Sequence, residues 1–183
     1  MIREGEEIIC AIIGGSKCGK TTLGKALVFK MWRLHRLRAI IFDPFRRKNN
    51  WGASAWVTDD LEKFKRAVWG TKHCAVFWDE STDSINKHDR EDQKFFSRIR
   101  HEHKAFFLLC HDLTVMSPLM RGNLSDMYVF RQGVKRAGLY AEDFADQDLQ
   151  QLAELGQYEF IHKQPFRPAR RLRPTTAEMQ NVI

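Results

Sequence analysis

Residues 14–21, Gly-Gly-Ser-Lys-Cys-Gly-Lys-Thr, constrain this chain more than any other stretch. They satisfy G-x-x-x-x-G-K-[ST] at every fixed position, between the apolar run Ile8–Ile13 and a helical pattern that begins near Lys20. The chemistry explains the spacing. Glycines let successive backbone N–H groups converge on phosphate oxygens, and the following helix adds its N-terminal dipole. Lys20 is expected to reach the terminal phosphates of a nucleotide. Thr21 is expected to offer its hydroxyl to Mg²⁺. Gly14, Gly15, Ser16, Lys17, Cys18, Gly19, Lys20, Thr21 and Thr22 therefore form the candidate nucleotide cradle, with ATP and Mg²⁺ as the expected ligands.

The surrounding pattern fits such a loop. Ile8–Ile13 reads as a strand buried on both faces, followed by a helix with Leu23, Leu27, Val28, Met31 and Leu34 on one stripe. Strands follow at Arg38–Asp43, Cys74–Trp78, Ala105–Cys110 and Asp126–Phe130, with an edge strand near Tyr158–His162. Helices are expected from a cap at Thr58 or Asp59 to Trp69, through Phe95, Phe96 and Ile99, and over Tyr140–Leu155. Residues 44–57 read as a loop mixing Arg46, Arg47 and Lys48 with Phe45, Trp51 and Trp56. Strands alternating with helices predict an α/β layered fold with a mostly parallel sheet. One domain over 1–164 is followed by a basic, Pro/Arg-rich tail over 165–183, expected to be extended or poorly ordered.

Composition narrows the class. The 183 residues carry a formal charge of +7, which favours a polyanionic partner. No apolar stretch approaches the roughly 20 residues of a membrane span. The start, Met1-Ile2-Arg3-Glu4-Gly5-Glu6-Glu7, is too acidic for a signal peptide, so action in the cytoplasm is expected. The four cysteines lack C-x-x-C spacing and read as reduced thiols. His101-Glu102-His103 reads as part of a helix, where residues two apart do not share a face, and not as a metal site.

A nucleotide site also needs a metal anchor and a way to orient water. The strand Cys74–Trp78 runs directly into Asp79-Glu80. Asp79 is expected to hold Mg²⁺ and Glu80 to polarise the attacking water. A small-molecule kinase must exclude water, so Glu80 argues for a hydrolase over a kinase. His111, closing the fourth predicted strand, is a candidate to sense the γ-phosphate or to hold the water.

The order of these pieces resembles the FtsK–HerA superfamily of ring-forming translocases. Within it, the chain is similar to the compact genome-packaging ATPases of membrane-containing and related double jelly-roll viruses. The resemblance covers roughly residues 6–163. It rests on Gly14–Thr21, on Asp43-Pro44 closing the second strand, on Asp79-Glu80, on Arg100 eleven residues before His111, and on Leu119-Met120-Arg121-Gly122-Asn123-Leu124. It implies a RecA-like additional-strand P-loop ATPase, three-layer αβα, acting as a homo-oligomeric ring, a hexamer or pentamer. Such a ring would move double-stranded DNA into a viral capsid, docking at a capsid or portal vertex in the host cytoplasm or on the virion. It also implies an arginine finger acting on the neighbouring subunit's nucleotide. Arg100 is the first candidate, with Arg98 and Arg121 behind it. The superfamily's usual sensor is glutamine, and here it is His111. Arg46, Arg47 and Lys48 are candidate DNA contacts. A P-loop kinase and an ATPase driving phage assembly or secretion are the alternatives.

Overall fold

The computed structural model describes residues 8–45, 50–81, 90–99 and 105–173. Arg46, Arg47, Lys48, Arg100 and the His101–His103 run lie outside the described residues. The elements in chain order are β1 (Ile8–Ile13), α1 (Lys20–His35), β2 (Arg38–Phe42), β3 (Ala55–Thr58), α2 (Leu61–Gly70) and β4 (Cys74–Trp78). They continue with α3 (Arg90–Ile99), β5 (Ala105–Cys110), α4 (Pro118–Gly122), β6 (Asp126–Phe130), α5 (Val134–Asp143), β7 (Phe160–Lys163) and β8 (Arg170–Leu172).

The described strands form one eight-stranded sheet in the order β3-β2-β4-β5-β1-β6-β7-β8. The six strands from β3 to β6 pair in parallel, while β7 and β8 pair antiparallel. Period-2 alternation sends successive side chains of each strand to opposite faces. Ile9, Ala11 and Ile13 of β1 join Val76, Trp78, Phe106 and Leu108 beneath Phe64 of α2, Phe95 and Ile99 of α3 and Tyr140 of α5. Cys10 and Ile12 join Ile41, Phe77, Phe107 and Leu109 beneath Leu23, Leu27, Val28 and Met31 of α1. The result is a three-layer αβα arrangement with a mostly parallel sheet, the fold class expected from the sequence. Strands buried on both faces explain why each reads as a continuous apolar run. Aromatic rings fill the first core: Trp78 stacks on Phe96 at 6.0 Å and meets Phe64 edge-on at 5.3 Å.

The structure differs from the sequence expectations in five local respects. Residues 55–57, expected as loop, join Thr58 in the outer parallel strand β3, whose short Ala-Trp-Val-Thr run carries little alternation. The helix over residues 61–70 is capped by Asp60, whose carboxylate accepts from Lys63 N at 2.9 Å, and not by Thr58 or Asp59. Leu34 is exposed, so the α1 stripe ends at Met31. The helix expected over 140–155 begins earlier, at Val134, and stops at Asp143, with a 3₁₀ segment at Gln147–Ala153. Ala145 takes φ 48° between them, which breaks the helical path. Finally, β7 is not an edge strand, because Arg170–Leu172 pairs beside it.

Candidate active site at the carboxyl edge of the sheet

Parallel strands bring their carboxyl ends to one edge, and the loops there meet at the centre of the sheet. β1 is central and enters the turn 14–19. Gly14 N donates to Cys110 O at 3.1 Å, so the ladder with β5 continues one residue past the strand. Two glycines of the turn are required by geometry. A Cβ on Gly14 would lie 2.7 Å from both Phe130 Cβ and Cys18 Sγ. Gly19 takes φ 116° and lies under the Phe130 and Tyr158 rings, where a Cβ would fall 3.2 and 3.1 Å from ring carbons. Lys17 also takes a positive φ, 61°.

Lys20 is 5% exposed, and its Nζ donates to Gly14 O at 2.9 Å and Gly15 O at 3.1 Å. The ammonium is thus held inside the turn by the carbonyls of the loop it follows. Gly15, Ser16, Lys17 and Cys18 face an open cleft, and Thr22 is exposed on the first turn of α1. Burial raises the Cys18 thiol above its ordinary value, with Lys20 acting in the opposite direction.

Thr21 lies beside the end of β4. Its Oγ1 donates to Asp79 Oδ2 at 3.3 Å. Asp79 is 2% exposed, and burial pushes its carboxyl up to about 6, with Asp43 and Glu80 adding to the rise and Glu80 N and Lys20 opposing it. A hydroxyl and a buried carboxylate side by side are the hard oxygen donors that Mg²⁺ takes, and a cation there would relieve the burial penalty on Asp79. The pair therefore fits the expected metal.

Glu80 stands one residue further, in the left-handed region at φ 48°. That backbone costs a non-glycine residue about 1–2 kcal/mol. Asp79 Oδ1 accepts from Glu80 N at 2.9 Å and fixes the turn. His111, at the end of the neighbouring β5, holds the Glu80 carboxylate: Nε2 and Oε2 lie 2.9 Å apart. The structure thus brings Lys20, Thr21, Asp79, Glu80 and His111 together at one edge. Asp112, next to His111, is itself fixed by Tyr140 OH at 3.2 Å and Arg136 Nη2 at 2.9 Å, both from α5.

The other arginine candidates lie elsewhere. Arg98 is exposed in the last turn of α3. Arg121 sits on α4 just before β6 begins, at the strands' amino ends, and pairs with Asp143 at 3.1 Å.

Two features escaped the sequence reading. Trp51 is not a surface aromatic of a basic loop. It is 4% exposed, packs 6.3 Å from the Phe77 ring, and donates from Nε1 to Asp43 Oδ2 at 2.7 Å. Asp43 also accepts from Phe45 N at 2.7 Å, so the Asp-Pro element organises the turn after β2. The second feature is the cleft of about 570 Å³ that continues from the phosphate loop toward β6, walled by Phe130, Gln132, Val134 and Gln157. Its signal was positional: residues 131–133 follow the strand that flanks β1 on the side away from β5.

No family model and no curated protein matches the chain. Solved structures do. The DNA-packaging ATPase B204 from Sulfolobus turreted icosahedral virus superposes with TM-score 0.77 at 16% identity, over 94% of this chain and 100% of that one. The genome-packaging NTPase B204 from Sulfolobus turreted icosahedral virus 2, in complex with AMPPCP, gives TM-score 0.75 at 15% identity, over 94% and 100%. VirB4 of Thermoanaerobacter pseudethanolicus gives 0.69 at 11% identity, over 93% and 91%. The chain has the α/β P-loop ATPase fold of these proteins.

Proposed function

We propose that this chain is an ATP-hydrolysing ring motor that moves double-stranded DNA, in the role of a viral genome-packaging ATPase. The observation that carries the hydrolytic part is the hydrogen bond between His111 and Glu80, one residue from the Thr21–Asp79 pair. It holds a carboxylate at the sheet edge where a γ-phosphate would lie.

In this reading the loop N–H groups and Lys20 hold the phosphates, and Thr21 and Asp79 hold Mg²⁺. When bound, that ion offsets charge on the β- and γ-phosphates. Glu80 accepts a hydrogen bond from water and takes its proton as the oxygen attacks the γ-phosphorus. The bond from that phosphorus to the β–γ bridging oxygen breaks, and ADP leaves with the bonding electrons. His111 keeps the carboxylate aimed through this step. Arg100 of a neighbouring subunit serves as the finger, and Arg46, Arg47 and Lys48 hold DNA phosphates in the channel.

The DNA part is supported by the +7 charge and by the fold shared with proteins described as packaging ATPases. The fold shared with VirB4 supports a second reading, an ATPase that drives assembly or secretion. Phosphate release measured with and without duplex DNA, across a protein concentration series, tests the proposal. Hydrolysis that rises with both DNA and oligomerisation supports the motor. Hydrolysis indifferent to DNA favours the second reading.

A further inference from the structure

The cleft beside the phosphate loop contains a polar group that the hydrolytic chemistry does not use. The sheet order puts β5 and β4, with His111 and Glu80, on one side of β1 and β6 on the other. A nucleotide whose γ-phosphate faces Glu80 must extend its ribose and base toward the carboxyl end of β6. The cleft of about 570 Å³ lies there.

Its wall mixes glycines and apolar side chains with the exposed side chains of Ser16, Lys17, Arg131 and Gln157. Gln132 differs from these. It lines the cleft, yet it is only 6% exposed. Its backbone N–H donates to Leu152 O at 3.0 Å, which fixes the residue against the 3₁₀ segment. Its side-chain Nε2 donates to Phe130 O at 3.4 Å. That bond sets the orientation of the amide, because a carbonyl facing Phe130 O would be repelled. Oε1 is left as an acceptor, and no group among the described residues donates to it. A buried acceptor without a donor costs free energy until a ligand supplies one.

Resting on the nucleotide reading above, we propose that Gln132 selects the base: its Oε1 accepts from the exocyclic amine of a 6-aminopurine nucleotide and rejects 6-oxopurines. Adenine presents an N–H at that position, whereas guanine and hypoxanthine present an oxygen. An oxygen facing Oε1 leaves two acceptors opposed and unpaired. Sites built around a buried polar group discriminate strongly against analogues that cannot pair with it.

The test compares ADP, inosine diphosphate and purine riboside diphosphate binding to the full chain by calorimetry. Inosine diphosphate presents an oxygen at the purine 6-position, and purine riboside diphosphate carries only hydrogen there. Inorganic tripolyphosphate serves as a control for the phosphate loop. The wild type is expected to bind both analogues about tenfold or more weakly than ADP. Gln132→Met should bring the three affinities within about twofold of one another. Equal affinities of the wild type for the three nucleotides, with tripolyphosphate still binding, overturn this inference and leave the phosphate-loop reading intact. Failure of the wild type to bind either the nucleotides or tripolyphosphate overturns both. The wild-type comparison decides the matter even where Gln132→Met does not fold.

Discussion

His111 Nε2 and Glu80 Oε2 lie 2.9 Å apart, joining the ends of the adjacent parallel strands β5 and β4. The two side chains are only partly buried, 30% and 24% exposed, so the contact stands at the mouth of the site and not in the core. Its effect is geometric: it fixes where a carboxylate on a left-handed turn points.

The first prediction follows from that contact. His111→Ala frees the Glu80 carboxylate and should lower kcat by about 10- to 100-fold, less than the roughly 10²- to 10⁴-fold that a positioned base supplies, because the base itself remains. KM for ATP should change little. His111→Gln keeps an N–H donor to the carboxylate and should retain most of the activity. Steady-state phosphate release on both variants checks this. Equal kcat in wild type and His111→Ala removes the positioning role.

The second concerns Asp79. Its folded-state value of about 6 lies above the ordinary carboxylate value of 3.8, so ionisation is harder in the folded protein. The sign is destabilising: the cost is absent below about pH 3.8, grows between that and pH 6, and is complete above. At neutral pH it is roughly 3 kcal/mol. Asp79→Asn keeps an oxygen for Glu80 N and removes the charge. Without ligand it should be more stable than wild type at pH 7, with the gap closing toward pH 4. Mg²⁺ with ADP should raise the Tm of the wild type well beyond that of the variant. Thermal unfolding across pH, with and without Mg²⁺–ADP, measures both.

Much of this arrangement was legible in the chain. Doubly buried strands must be continuous apolar runs, so β1, β2, β4 and β5 stood out, and Asp79, Glu80 and His111 fell at the carboxyl ends of β4 and β5. What escaped depended on contacts between distant segments. Trp51 looks like any loop aromatic until the fold brings it under Asp43 and over Gly24, whose Cβ would lie 3.3 Å from the indole. Gln132 belongs to no motif, and only the strand order places it beside the loop. β8 is three residues long among prolines and arginines, and it forms because β7 offers it an edge.

The third prediction tests the packing of the turn. Gly14→Ala drives a methyl to 2.7 Å from Phe130 Cβ, an atom of the sheet that cannot swing aside. Overpacking of this kind costs about 1–3 kcal/mol and displaces the loop backbone. Nucleotide affinity should fall by more than tenfold, and denaturant unfolding should show the lost stability. Gly15→Ala meets nothing within 4 Å and should be far milder on both measures.

The fourth prediction concerns Arg100 as a finger in trans. Arg100→Ala should lower hydrolysis by roughly 10³-fold. Mixing Arg100→Ala with Glu80→Gln subunits should restore part of the activity, since some interfaces then join an intact site to an intact finger. A loss of only twofold in Arg100→Ala moves the role to Arg98 or Arg121.

In the proposed mechanism Glu80 drives ATP hydrolysis that DNA stimulates. The most direct measurement is phosphate release by wild type and Glu80→Gln, each with and without duplex DNA over a salt series, alongside nucleotide affinity. Both proteins should bind ATP. Only the wild type should turn over, faster with DNA of any sequence. The logarithm of the DNA affinity should fall with log salt with a slope of about 0.9 for each phosphate contacted. Equal hydrolysis by the two proteins, or wild-type hydrolysis that ignores DNA at every salt concentration, would contradict this mechanism.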